Sequence, residues 1–145
     1  MEVNLGFGNT FRSLNDKTRD LKRNILSKLK ILIIDEFSMV KSDMLYQIDL
    51  RLKEIKQEPN LPFGGVSVFL FGDLLQLKPV LGCYPFEAPK NDQFLISHLL
   101  DPLWNIFDVI DLKINHRQGN DRIYADLLNR IKIGQQMHDD IELLS

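Results

Sequence analysis

One cysteine, Cys83, stands in 145 residues, so no internal disulfide forms and a secreted, bridge-stabilised scaffold is excluded. With no base beside it, Cys83 is a loop residue rather than a nucleophile. Charge of one sign is also scarce: 18 Lys and Arg against 20 Asp and Glu leave a formal −2. A global basic field of the kind that gathers nucleic acid is absent, and any such contact is local. His98, His116 and His138 are widely spaced and do not cluster with cysteine, which argues against a zinc site. No apolar run is long enough to cross a bilayer, and Met1–Gly6 has neither the basic start nor the apolar core of a signal peptide. The expectation is a soluble, intracellular chain with no membrane partner. Missing too is Gly-x-x-x-x-Gly-Lys-Ser/Thr, whose backbone amides wrap phosphates. Gly6-Phe7-Gly8-Asn9-Thr10 carries no lysine, and Lys17-Thr18 and Lys41-Ser42 lack the preceding glycines.

What is present is apolar mass in short blocks. At 44% hydrophobic residues the chain is long enough for one domain with a core, and general disorder is excluded. Lys30-Ile31-Leu32-Ile33-Ile34-Asp35-Glu36 and Val66-Ser67-Val68-Phe69-Leu70-Phe71-Gly72-Asp73 are apolar without alternation and end abruptly in carboxylates. Such runs suit parallel strands buried on both faces. In open α/β sheets ligands sit beyond the carboxyl ends of the strands, so Asp35, Glu36 and Asp73 are delivered to one rim.

Helical spacing of Leu14, Leu21, Ile25, Leu26 and Leu29 predicts a surface helix feeding the first strand, its other face filled by Lys and Arg. Ser42 is a candidate N-cap for a helix with the stripe Met44, Leu45, Ile48, Leu52 and Ile55. Asp101-Pro102 reads as the start of a short helix through Trp104 and Phe107, and Asp108-Val109-Ile110-Asp111-Leu112 as a third strand. A further helix from about Asn120 buries Tyr124, Leu127, Leu128 and Ile131 and ends at Gly134. Asp139 with Glu142 resembles a capping box opening a last helix, inside which the chain stops. Tyr84, Phe86, Phe94, Trp104 and Phe107 are expected to pack in the core rather than to stack on bases.

A strand ending in Asp-Glu places one carboxylate for magnesium and its neighbour to polarise an attacking water. Gln76, just past Gly72-Asp73, can orient water near a γ-phosphate. Arg117, in the polar turn Asn115-His116-Arg117-Gln118, offers a guanidinium for charge on a transferring phosphoryl group. Alternative readings are a polar loop closed by Pro79 for the second feature and an ordinary ion pair for the third.

Leu32 through Val40, Phe63-Gly64-Gly65 through Gly72-Asp73-Leu74-Leu75-Gln76-Leu77-Lys78-Pro79-Val80, and Asn115 through Gln118 resemble, in order and spacing, the Pif-family DNA helicases. These are superfamily-one motors that unwind DNA from 5′ to 3′. The resemblance implies an α/β fold: a partial RecA-like P-loop NTPase domain over residues 1–145, its mostly parallel sheet flanked by helices and lacking the Walker A strand. It implies ATP and Mg2+ as cofactors, with Asp35 and Glu36 as the Walker B pair, Asp35 for magnesium and Glu36 for water. Gln76 would sense the γ-phosphate and Arg117 would reach it from the same domain. Lys78 departs from the proline more usual there, as does Asn115-His116 from a hydrophobic-aromatic lead-in.

The expectation is therefore a piece of a helicase whose intact form, as a monomer, takes single-stranded DNA and fork junctions. By the same resemblance it acts in repair, recombination or telomere maintenance, in nucleus or mitochondrion. Lacking the phosphate cradle, the chain alone is expected to be inactive. Two other readings are kept: a non-catalytic remnant that binds DNA or protein, and a small phosphohydrolase using Asp35, Glu36 and Asp73 as magnesium ligands.

Overall fold

The computed structural model describes residues 10–88, 103–113 and 122–143. They fall into two compact units, one ending at Ile106 and the other beginning at Phe107.

In the first unit, helix α1 (Asp16–Leu26) starts where the Asn15 side chain accepts from the Thr18 amide at 2.9 Å. It is shorter than its sequence spacing predicts. Lys56 Nζ donates to the carbonyls of Leu26, Ser27 and Leu29 at 2.9, 3.0 and 2.7 Å, closing the helix end. Leu26 is buried, but Leu21 and Ile25 of the expected apolar face are exposed among the described residues.

Helix α2 (Ser42–Lys56) carries the core. Leu45, Ile48, Leu52 and Ile55 are buried, as the stripe predicts, each contributing about 1.5–3 kcal/mol by leaving water. Ser42 is not the N-cap: Lys41 holds that position, and the buried Ser42 hydroxyl donates to the Glu87 carbonyl. The polar side of α2 is buried as well. Asp49 accepts from the Phe63 amide at 2.6 Å and from Lys53 Nζ at 2.7 Å. Arg51 pairs with Glu54 at 2.6 Å, donates to the Arg12 carbonyl and lies 4.8 Å from the Phe11 ring centroid. Glu54 also accepts from the Leu14 amide, so the strap before α1 is fastened to α2.

Strands β1 (Ile31–Ile34) and β2 (Ser67–Leu70) pair in parallel, Ile31 opposite Ser67 and Ile34 opposite Leu70. Burial on both faces does not hold. Ile31, Ile33 and Phe69 are 55, 63 and 50% exposed, while Leu32, Ile34, Val68 and Leu70 are half-buried. Among the described residues only one face of the sheet is covered, so an unbroken apolar run shows the burial of an alternating one.

The second unit has helix α3 (Arg122–Lys132) and helix α4 (His138–Leu143). Gly134, at φ 70°, ends α3: its amide donates to Ile131 and that of Gln135 to Arg130, the paired bonds of a Schellman turn. Leu127 is buried and Leu128 half-buried, but Tyr124 and Ile131 are exposed, against expectation. Asp139 is no cap. Asp140 does that work, accepting from the Met137 amide at 2.9 Å and from Arg130 Nε at 2.8 Å. The bond from Arg130, then that from Met137, holds the Asp140 carboxyl down at about 2. The expected third strand at 108–112 is not formed: these residues carry no regular secondary structure and join no ladder. Val109, Ile110 and Leu112 are exposed, and β-propensity needs a neighbouring strand that none of the described residues supplies.

Among the described residues no helix is long and apolar enough to cross a membrane.

Candidate nucleotide-binding rim

Parallel pairing brings the carboxyl ends of β1 and β2 to the same edge, so the turn after Ile34 and the loop after Leu70 are neighbours. The ladder runs on past both strands. The Phe71 amide donates to Ile34 at 2.8 Å, and the Phe37 amide donates back to Phe71 at 3.0 Å.

Between these two bonds the chain turns sharply. Asp35 Oδ1 accepts from the Glu36 amide at 2.9 Å, leaving its other oxygen for a ligand. Glu36 sits at φ 51° and ψ 43°, a left-handed conformation that non-glycine residues rarely adopt. The short 3-10 turn Phe37–Met39 follows, with Phe37 and Ser38 buried beneath the exposed acids. Gln57, Phe63 and Leu81 also adopt positive φ, but among these four residues only Glu36 is an acid at a strand end.

Opposite, Asp73 organises its own loop. Its Oδ1 accepts from the Leu75 amide at 3.0 Å, its carbonyl from the Gln76 amide at 3.0 Å, and its Oδ2 from Gln76 Nε2 at 3.3 Å. With Nε2 turned to Asp73, the Gln76 carbonyl oxygen is left to accept. Asp35, Glu36, Asp73 and Gln76 thus share one edge, as their positions predict. Arg117, with Asn115, His116 and Gln118, lies outside the described residues, as does Phe94.

Gly72 stands in the sequence as part of Gly72-Asp73 before Gln76, with nothing there to say why a glycine is needed. The reason for it is closeness: a Cβ there would lie 2.9 Å from Phe37 Cδ1 and 3.0 Å from the Phe37 nitrogen. Beyond it, Phe37 stacks on Trp104 at 5.8 Å, Trp104 meets Phe86 edge-on at 6.0 Å, and Phe86 stacks on Tyr84 at 4.9 Å. Of these rings only Phe37 is buried; Tyr84 and Trp104 are half-buried and Phe86 is exposed, so the expected core packing holds only in part. Lys78 is exposed, its ammonium 6.0 Å from the Tyr84 ring centroid.

The donor set suits a hard cation held mainly by water and phosphate oxygens. Among the described residues no group of three or more His, Cys, Asp or Glu forms an all-protein cage, and magnesium needs only one or two carboxylates.

Comparison with known proteins decides the family. The model of PIF1-like helicases matches residues 6–141. This chain belongs to the PIF1-like helicase family. It is 28% identical over 142 residues to the ATP-dependent DNA helicase PIF1 of Candida albicans, covering 92% of this chain and 16% of that protein. The ATP-dependent DNA helicase RRM3 of Saccharomyces cerevisiae is 32% identical over 109 residues, 73% of this chain and 14% of the relative. A Pif1 helicase from Bacteroides, solved with ADP-AlF3 and single-stranded DNA, superposes with a TM-score of 0.68 at 30% identity. The match covers 93% of this chain and 30% of that one. A structure of two coordinating Pif1 helicases at forked duplex DNA gives 0.69 at 31% identity, covering 93% of this chain and 33% of that one. The fold is accordingly that of a partial Pif1 RecA-like domain, and the chain spans a small part of the length of these relatives.

Proposed function

We propose that this chain is part of the ATP-hydrolysing motor of a DNA helicase. The observation that carries the reading is the shared rim, where an Asp-Glu turn and an Asp-x-x-Gln loop are bonded edge to edge by parallel strands. In this reading Asp35 holds magnesium, largely through coordinated water, and Glu36 polarises the attacking water. Gln76 accepts from that water and reports the γ-phosphate, and Arg117 steadies charge on the transferring group. The ADP-AlF3 and single-stranded DNA held by a solved relative support nucleotide and DNA as ligands.

By family likeness we assign 5′-to-3′ unwinding in genome maintenance, with single strands and forks as the DNA partner. We also assign the phosphate cradle to residues other than these 145, since no Gly-x-x-x-x-Gly-Lys-Ser/Thr occurs among them. The whole of 1–145 then acts within a single motor domain.

The test is DNA-stimulated ATP turnover by two proteins: the 145-residue chain, with circular dichroism to verify folding, and the Candida albicans relative carrying residues 6–141 in place of its matching segment. The chain alone is expected to be folded and inactive, and the chimera active. Glu36→Gln in the chimera is expected to lower turnover by about a hundredfold or more, the scale of a lost general base. Robust turnover by the chain alone, or an unaffected Glu36→Gln chimera, would refute the assignment. DNA affinity that survives Glu36→Gln in a chimera without turnover would favour a non-catalytic binding module.

A further inference from the structure

The two halves of the rim are not independent, and one residue joins them. Four observations bear on this. The Phe37 amide donates to the Phe71 carbonyl, directly after the strained Glu36 and directly before Gly72. Gly72 adopts φ 153°, where side chains are disfavoured. Its missing Cβ would stand 2.9 Å from Phe37 Cδ1, 3.0 Å from the Phe37 nitrogen and 3.4 Å from the Glu36 carbonyl carbon. Asp73, the next residue, holds both the backbone and the side chain of Gln76.

We propose that Gly72 is a positioning residue that locks the Asp35-Glu36 turn to the Asp73-Gln76 loop, so that the acid and the glutamine move as one body. The proposal rests on the functional reading above for its meaning, but the mechanical link is separate from it. A side chain at 72 meets the Phe37 ring and the Phe37 nitrogen; the ring can turn aside but the backbone nitrogen cannot, so the Phe37 amide must shift from the Phe71 carbonyl to which it donates. Loss of that bond frees Glu36 from its left-handed conformation, since a glutamate has no intrinsic preference for it. A shift of Gln76 on meeting a phosphate would reach Glu36 by the same route in reverse.

The experiment is NMR on the isotope-labelled 145-residue chain. In the unaltered protein, the Phe37 and Gln76 amides are expected to exchange through a common opening, with the same dependence on added denaturant. In Gly72→Ala, exchange at Phe37 is expected to rise by about tenfold or more. The Glu36 HN–Hα coupling should leave its left-handed value, and the Gln76 side-chain amide should shift. The amides of Leu32 to Ile34 should stay protected. Phe37→Ala in the Gly72→Ala background, which removes the closest atom, should restore part of the Phe37 protection. Gly134→Ala is the control, because it also has positive φ but no atom lies within 4 Å of the added carbon.

An unchanged Glu36 coupling in a folded Gly72→Ala protein would overturn the proposal. So would unrelated opening of Phe37 and Gln76 in the unaltered protein, a result available even if the variant does not fold. Failure of the functional reading appears instead as an unaffected Glu36→Gln chimera, and leaves these measurements standing.

Discussion

Two adjacent glycines give a measurement in which one carries the packing penalty and the other does not. Gly64 and Gly65 both have positive φ, 60° and 77°, in the turn that leads into β2. Alanine at either position meets the left-handed penalty of about 1–2 kcal/mol. Their surroundings differ. A Cβ on Gly65 would touch only Leu61 Cδ1 at 3.4 Å, an ordinary contact. A Cβ on Gly64 would fall 2.6 Å from the Leu52 carbonyl oxygen, 2.9 Å from its carbon and 2.9 Å from Lys56 Cβ. Those atoms belong to α2, and two are backbone, so relief requires the turn to back away from the helix. Overpacking of this kind costs a further ~1–3 kcal/mol. Gly64→Ala is therefore expected to destabilise by about 2–5 kcal/mol and Gly65→Ala by about 1–2 kcal/mol. Urea unfolding followed by circular dichroism measures both, and their difference isolates the packing term. Equal losses would show that α2 and the turn are not in the close contact described, and the argument would fail.

Two other outcomes follow from buried carboxylates. Asp49→Ala removes the bonds that Asp49 accepts from the Phe63 amide and from Lys53, and is expected to cost about 1–3 kcal/mol in the same urea assay. Asp49→Asn, which keeps an acceptor, should lose less. Asp140 supplies a pH dependence with a definite sign. Its folded pKa, about 2, lies below the ordinary 3.8, so its contribution is complete above about 3.8 and is lost as pH falls toward 2. Protection of the Met137 amide, taken relative to the intrinsic exchange rate at each pH, should fall over that interval and not in Asp140→Asn. A flat profile in the unaltered protein would contradict the Arg130–Asp140 pairing.

Legibility in the sequence followed locality. The β1 and β2 runs, the α2 stripe and the Gly134 stop rest on composition and spacing within a few residues, and all three stand. Ser42 misled because cap preference is a local rule. Here its hydroxyl is taken by the Glu87 carbonyl, far along the chain. Asp49, Arg51 and Glu54 look like a solvated helix face, yet the partners that permit their burial are the Phe63 amide, the Arg12 carbonyl and the Leu14 amide. No spacing rule finds such pairs. The open face of the sheet was equally hidden, since an apolar residue reports what it favours and not whether a neighbour arrives to cover it.

The rim shows the same division inside a single turn. The identities of Asp35, Glu36, Asp73 and Gln76 can be read from the strand ends, but not the bonds that bring them to one edge. Asp35 Oδ1 on the Glu36 amide is a local bond, and so is the Met39 amide on the Glu36 carbonyl. Against them stands a left-handed glutamate, at about 1–2 kcal/mol. The bond from Phe37 to Phe71 contributes about 0.5–1.5 kcal/mol, of the same order as the strain it offsets. The conformation of Glu36 is thus balanced on a contact with Phe71, the residue after β2, and a Cβ at residue 72 would press on the nitrogen that makes it. An acid poised in this way responds to small movements of the neighbouring loop, which a turn made rigid by its own sequence would not do.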